Sequence, residues 1–332
     1  MVGMRWARGV ALVAVVGLVG CTSVPADAWR LTPISYDNRM DGTNEPQQLN
    51  DTTYPMRLVS DTAGGLWGES SGSWLHLDAD GSPVRRFNLD GDEPRPVHGF
   101  TALTPELLLV SAPTDGASGA IHLFDTVDGS WELLYRDQIL LGDLAVYGGN
   151  VYVIAFTTGE GTFTVRRVPL DGTGGASDAT PALPWPGAVH PIQSSVAIDI
   201  GPDGAFYLAT QAERIVVEAD GTVRDRTPIE SHVPQVAVSS DGTPVWSGGG
   251  RPSSAVASHV TGGSAEARAV LNLHATCTED LVVVGWSPNQ TTLPFLCSPR
   301  GIAWLDPETF VVSIGGENDA VLVRVEMPAP FG

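Results

Sequence analysis

Four of the seven histidines, His98, His190, His232 and His274, lie shortly before runs that read as the first strand of a repeated unit, or at the matching junction. Neutral imidazoles brought together there would hold zinc or another divalent ion, and an open coordination position would then polarise a substrate. Their offsets from the following runs differ between units, however, and a single loop histidine is ordinarily solvated or hydrogen-bonded locally. A second candidate, Gly68-Glu69-Ser70-Ser71-Gly72, matches the letters of G-x-S-x-G. That chemistry needs a sharp strand-to-helix turn that exposes the serine. Here the match leaves one β-like run and enters another, so a polar hairpin loop is expected and no catalytic residue is assigned. Asn88-Leu89-Asp90-Gly91-Asp92-Glu93 concentrates the hard oxygen donors that calcium prefers. It lacks the EF-hand spacing, and Asp-Gly turns are expected on an acidic surface in any case. Trp185 and Trp286 are aromatic candidates for small-ligand or polysaccharide capture, or are simply packed.

The elements that must position these groups are strands. Asp-Gly pairs begin at Asp41, Asp80, Asp90, Asp115, Asp128, Asp171, Asp203, Asp220 and Asp241, mostly between short runs of β-branched and aromatic residues. Both residue types tolerate positive φ in a tight hairpin. With no amphipathic helical run of about ten residues after the N-terminal segment, the pattern predicts an all-β chain.

The runs repeat at about 40 to 50 residues, within the range of propeller blades. The turn and second strand of each unit read Ala63-Gly64-Gly65 then Leu66-Trp67, Thr104-Pro105-Glu106 then Leu107-Leu108, and Gly148-Gly149-Asn150 then Val151-Tyr152. The later three are Pro202-Asp203-Gly204 then Ala205-Phe206-Tyr207, Ser240-Asp241-Gly242 then Val245-Trp246, and Asp306-Pro307-Glu308 then Phe310-Val311. A second turn follows each of the first five, so two hairpins per unit predict a four-stranded sheet. The sixth unit offers three strands before the chain ends, and the segment from Trp29 to Ile34 is apolar enough to supply the fourth. Such closure would remove exposed edges. The expectation is therefore a single β-propeller of six blades, with seven as the alternative, closed by an N-terminal strand. Thr173 to Pro191 reads as a long excursion holding part of an outer strand, and residues 274–298 as an insertion too short for a full blade.

Pro299-Arg300-Gly301-Ile302-Ala303, the stretch from Val196 through Tyr207, and Asp61 through Trp67 resemble NHL-type and regulator-type β-propeller repeats. The resemblance covers about 270 residues and rests on turn and packing positions, so it implies fold more than function. Some lyases built on this kind of repeat place histidine and metal at the channel mouth, which is what draws attention to the four histidines. A lactonase-like arrangement, with carboxylates and an asparagine holding calcium in the channel, is a further expectation for which no residue set matches.

At the N-terminus, Arg5 and Arg8 precede an apolar run from Val10 to Val19, and Leu18-Val19-Gly20-Cys21 resembles a bacterial lipobox. The run is too short to span a bilayer but long enough for a signal core. The resemblance implies diacylglycerol transfer to the Cys21 thiol, cleavage before it, and a palmitoylated anchor on the outer face of the cytoplasmic membrane. The alternative is an ordinary secretory signal with an incidental cysteine. Once Cys21 carries lipid, Cys277 and Cys297 are left in an oxidising compartment, where a disulfide is expected. Two free thiols or a metal pair are the alternatives, and no zinc-type spacing supports the latter. The expected organisation is signal peptide 1–20, lipidated tether 21–28, propeller 29–326 and tail 327–332.

The 332 residues carry 18 basic and 38 acidic side chains for a formal charge of −20, and every basic residue is arginine. So acidic a surface repels phosphate backbones and excludes nucleic acid as a partner class. The arginine-only usage, with abundant Ala, Val, Gly and Asp, resembles actinobacterial composition. The functional expectation is a monomeric, membrane-anchored propeller acting as a binding or assembly module for a protein or small molecule, without a cofactor. The competing expectation is a metal-assisted lyase or lactonase, using zinc or calcium at the channel mouth.

Overall fold

Tyr147 and Asn150 pair across a two-residue turn in which Gly148 and Gly149 both take positive φ, 57° and 73°. A hairpin this tight needs both central residues there to match the twist of its strands, and only glycine does so without strain. Turns of this kind cut the chain into the short antiparallel strands expected from the sequence. In the computed structural model the described residues are 30–34, 57–115, 118–157, 162–170, 179–186, 196–248, 259–262, 269–272, 298–315 and 320–327, apart from 62, 71–72, 81–82, 89–93, 95, 230 and 232–233. No helix occurs among them, so none is long and apolar enough to cross a membrane.

Strand β1 (Arg30–Ile34) stands alone near the start. Strands β2 to β5 are Arg57–Ser60, Leu66–Ser70, Ser73–Leu77 and Pro83–Asn88, and β6 to β9 are Gly99–Ala102, Leu107–Asp115, Ser118–Asp125 and Trp131–Asp137. Next come β10 to β13 (Leu140–Tyr147, Asn150–Thr157, Thr162–Pro169, Thr180–Pro184) and β14 to β17 (Val196–Ile200, Phe206–Thr210, Glu213–Val217, Val223–Pro228). The last are β18 to β21 (Val236–Val238, Pro244–Gly248, His259–Gly262, Ala269–Asn272) and β22 to β24 (Ser298–Asp306, Thr309–Gly315, Ala320–Glu326). Among the described residues these strands form six four-stranded antiparallel sheets, five of consecutive strands and one ordered β1-β24-β23-β22. In that last sheet Arg30 pairs with Glu326 and Ile34 with Leu322, so the N-terminal segment joins the three C-terminal strands. The chain is a β-propeller.

Middle strands are buried and described outer strands are open. Every residue of β15, β16 and β19 is buried, whereas β13 and β17 are mostly exposed. Middle strands read as continuous apolar runs because neighbouring sheets cover both their faces. The core accordingly lies between sheets. Ile154, Phe163 and Val165 meet Ile198, Phe206 and Leu208 in one cluster, and Trp67 and Trp74 meet Phe100, Leu108 and Phe124 in another. Trp74 packs edge-on against Phe100 at 4.8 Å, a favoured aromatic geometry. The innermost strands touch in succession: β2 with β6, β6 with β10, β10 with β14, β14 with β18, β18 with β22, and β22 with β2.

Ser70 pairs with Ser73 at the close of the β3–β4 hairpin, so the G-x-S-x-G letters join strand to strand and the helix that serine chemistry requires does not follow. The excursion from Thr173 to Pro191 contains β13, which pairs with β12 as its sheet's outer strand. Cys21, Cys277, Cys297, His190, His232, His274, Trp286 and residues 89–93 lie outside the described residues.

Candidate functional site

The innermost strands bound a cavity of about 350 Å³. Apolar residues of these strands, such as Val59, Ala197 and Ala237, form part of its lining. Two carboxylates interrupt this surface, Asp143 on β10 and Asp199 on β14, and two arginines flank it, Arg57 at the start of β2 and Arg300 on β22.

Both carboxylates reach across to the next sheet. Asp143 Oδ2 accepts from the backbone N–H of Ile198 at 3.1 Å, and Asp199 Oδ2 accepts from that of Val238 at 2.7 Å. Asp199 Oδ1 also accepts from Ile200 N–H at 2.8 Å. Each therefore pins its neighbour's innermost strand, satisfying a backbone donor that the channel would otherwise leave exposed. Arg57 Nη1 stands 3.7 Å from Asp143 Oδ1 and donates to the carbonyl of His98. Close packing holds this geometry. A Cβ at Gly99 would come within 2.5 Å of Asp143 Cα, so only glycine lets β6 lie this near β10.

Burial pushes the Asp143 carboxyl up to about 6, with Arg57 and the Ile198 and Leu144 N–H groups holding it down. Asp199 is pushed up to about 7 by burial, against the Val238 and Ile200 N–H groups, and the Asp143 charge adds to the rise. Asp143 keeps 20 % of its side-chain surface open where it lines the cavity, yet protein encloses the group on its other sides and desolvation prevails. Folding thus raises both carboxyls above their unfolded values. The native state holds extra protons between about pH 4 and pH 7, so stability falls as pH rises through that window. Asp199→Asn is expected to flatten this decline by about 2 kcal/mol between pH 5 and 8. The amide turns one oxygen acceptor into a donor facing a backbone N–H, so stability at pH 5 falls as well and the slope is the diagnostic. Urea denaturation at the two pH values reads it, and an unchanged slope would refute the assignment.

Of the four histidines read as metal ligands, His98 is described. Its Nδ1 lies 2.7 Å from the carbonyl of Leu141 and so donates to it, bracing β10 two residues before Asp143. Burial, with the Arg57 charge, holds this imidazole below its ordinary value, against the raising effect of the Leu141 bond. Buried Ser111 completes the brace, its Oγ donating to the Gly142 carbonyl at 2.5 Å. His98 thus acts on the site by holding strands, and no group of three or more metal-ligating side chains occurs among the described residues. Trp185, proposed for ligand capture, packs against Phe163 at a 5.5 Å ring distance on the outer part of its sheet.

Asp143, Asp199 and Arg57 did not emerge from the sequence as site residues. Their signal was a charged residue inside an innermost-strand run, Leu141-Gly142-Asp143-Leu144 and Ala197-Ile198-Asp199-Ile200, where a buried strand ordinarily carries none.

No protein-family model matches the chain, and no curated protein does. Solved structures do. A Bacteroides thetaiotaomicron protein of unknown function is 10 % identical with a TM-score of 0.54, covering 90 % of this chain and 76 % of its own. The hydrazine synthase of Kuenenia stuttgartiensis is 13 % identical with a TM-score of 0.50, covering 88 % and 99 %. TolB from Acinetobacter baumannii is 16 % identical with a TM-score of 0.46, covering 83 % and 63 %. At the identities of the first two the likeness is one of fold.

Proposed function

We propose that this chain is a membrane-tethered binding module. In this reading its six sheets are the blades of a ring completed by β1, Cys21 carries the lipid that holds it outside the cytoplasmic membrane, and the channel cavity receives a small ligand. One observation carries it: innermost strands of all six sheets line one cavity, and three of its charged side chains, Asp143, Asp199 and Arg57, are already held by backbone groups or by one another. Polar groups held in place in a concave site suit ligand binding, since little ordering of them remains to be done on association.

The anchor is tested by Cys21→Ala. In the native host this variant is expected to leave the membrane fraction or to escape signal processing, and intact-mass measurement of the mature protein should show the acyl increment that the variant lacks. An unmodified wild-type mass would overturn the tether. The cavity is tested separately by a thermal-shift screen of diverse small molecules against the purified chain and Thr101→Phe, which fills the channel from β6. Stabilisation seen in the parent and lost in the folded variant supports the reading, and stabilisation insensitive to the variant refutes it.

The metal-assisted lyase or lactonase reading has a different observation on its side. A carboxyl near pH 7 in a cavity suits general acid–base work. It requires lactone or uronate turnover that Asp199→Asn abolishes, where the binding reading requires none.

A further inference from the structure

The polar side chains around the cavity are ordered by charge. In chain order they are Arg57, Thr101, Asp143, Asp199, Gln235, which immediately precedes β18, and Arg300. Ser60 also lines it, with its hydroxyl given to the Trp304 carbonyl. The contacts among innermost strands put β22 beside β2 and β10 beside β14. The two arginines therefore come from adjacent sheets and the two aspartates from another adjacent pair, with neutral Thr101 and Gln235 at the sheets between. Arg57 leans along the wall toward Asp143, at 3.7 Å, while Arg300 belongs to the sheet opposite that of Asp143 in this succession, with one sheet between it and that of Asp199.

We propose that the cavity binds a small zwitterion, an ammonium and a carboxylate joined by a short chain, with the ammonium between Asp143 and Asp199 and the carboxylate toward Arg300. The proposal rests on the binding function above and specifies its ligand. A ligand with only positive charge would be set beside two arginines, and one with only negative charge beside two carboxylates. Either leaves a buried charge uncompensated, which costs more than the opposite pairing returns. A zwitterion aligned with the wall compensates both ends. At about 350 Å³ the cavity lies near the lower end of the size range for small-molecule sites, which leaves room for a few methylenes between the charged ends. Thr101 and Gln235 supply neutral donors and acceptors at the flanks.

Isothermal titration of the purified chain with glycine, γ-aminobutyrate and 6-aminohexanoate, against putrescine and succinate, tests it. At least one amino acid is expected to bind with a stoichiometry of one and at least tenfold more tightly than either the diamine or the diacid. Asp199→Asn and Arg300→Gln are each expected to weaken that binding at least tenfold, and because they lie on separate sheets the failure of one to fold leaves the other as the test. Succinate or putrescine binding as tightly as the best amino acid overturns the proposal, as does amino-acid binding that both variants leave intact. If none of the three amino acids binds while Thr101→Phe still abolishes stabilisation by some other compound, the zwitterion is wrong and the binding function stands. If no compound depends on the channel, both fall.

Discussion

Asp61→Ala is expected to cost about 3 kcal/mol, because one buried carboxylate serves three partners. Its Oδ1 accepts from the N–H groups of Ala63 and Gly65, both at 2.7 Å, and its Oδ2 accepts from His76 Nε2 at 2.7 Å. The imidazole in turn stacks on Trp67 at 4.4 Å and 9°, and the indole N–H of Trp67 donates to the Pro105 carbonyl of the next sheet. The carboxylate thus shapes the β2–β3 turn and, through two rings, joins the first sheet to the second. Removing it leaves buried donors unpaired and frees a ring that the core needs. Asp61→Asn keeps an acceptor for the turn and is expected to lose about half as much. Although burial works to raise this carboxyl, the His76 and backbone bonds prevail and hold it below its ordinary value. Its contribution is therefore present above the unfolded carboxyl value and is lost as pH falls through the lower, folded one. Denaturant midpoints at pH 7 should show the loss, and the acid limb of the parent should flatten in both variants. A parent-like midpoint for Asp61→Ala would refute the arrangement. This trend runs opposite to that of Asp143 and Asp199, so the two can be separated by pH alone.

Deleting Arg30–Ile34 should lower the melting temperature by about 5 °C and promote association. The strand's ladder hydrogen bonds to β24 contribute about 1 kcal/mol each, and the backbone entropy recovered on releasing five residues roughly offsets them. What remains is Ile34, 9 % exposed and packed with Leu58, Leu66, Ala303, Val311 and Leu322, whose burial is worth about 2 kcal/mol. Ile34→Ala should reproduce most of the thermal loss without the association. The deletion alone bares the edge of β24, whose buried residues Leu322, Val323 and Val325 sit in a strand ready to pair with another chain. Scanning calorimetry and size-exclusion chromatography distinguish the two effects. A deleted chain that melts and elutes like the parent would show that β1 contributes nothing to the sheet.

The reading of the four histidines illustrates where local information stops. His98 sits at the junction that the repeat pattern assigned to it, immediately before β6, but its ring is spent on the Leu141 carbonyl. Position along a unit is written in the turns. The direction a side chain faces, and what meets it there, depends on how far neighbouring sheets slide along one another. The same limit hid the aspartates. Leu141-Gly142-Asp143-Leu144 reads as an ordinary strand with one polar position, and nothing local shows that Ile198 N–H, in β14 of the next sheet, will lie 3.1 Å from that carboxylate.

By itself the sequence determined the strands, their hairpins and the pairing of its two ends, because each follows from short-range physics. Gly148 and Gly149 admit the positive φ of a two-residue turn, apolar runs such as Phe206–Thr210 require cover on both faces, and a final unit one strand short leaves an edge that an apolar segment elsewhere must fill. Tertiary structure alone decided the site. The charge order around the cavity and the raised carboxyls of Asp143 and Asp199 arise only when six innermost strands converge, since desolvation and Coulomb interaction depend on distances between sheets that no local pattern encodes.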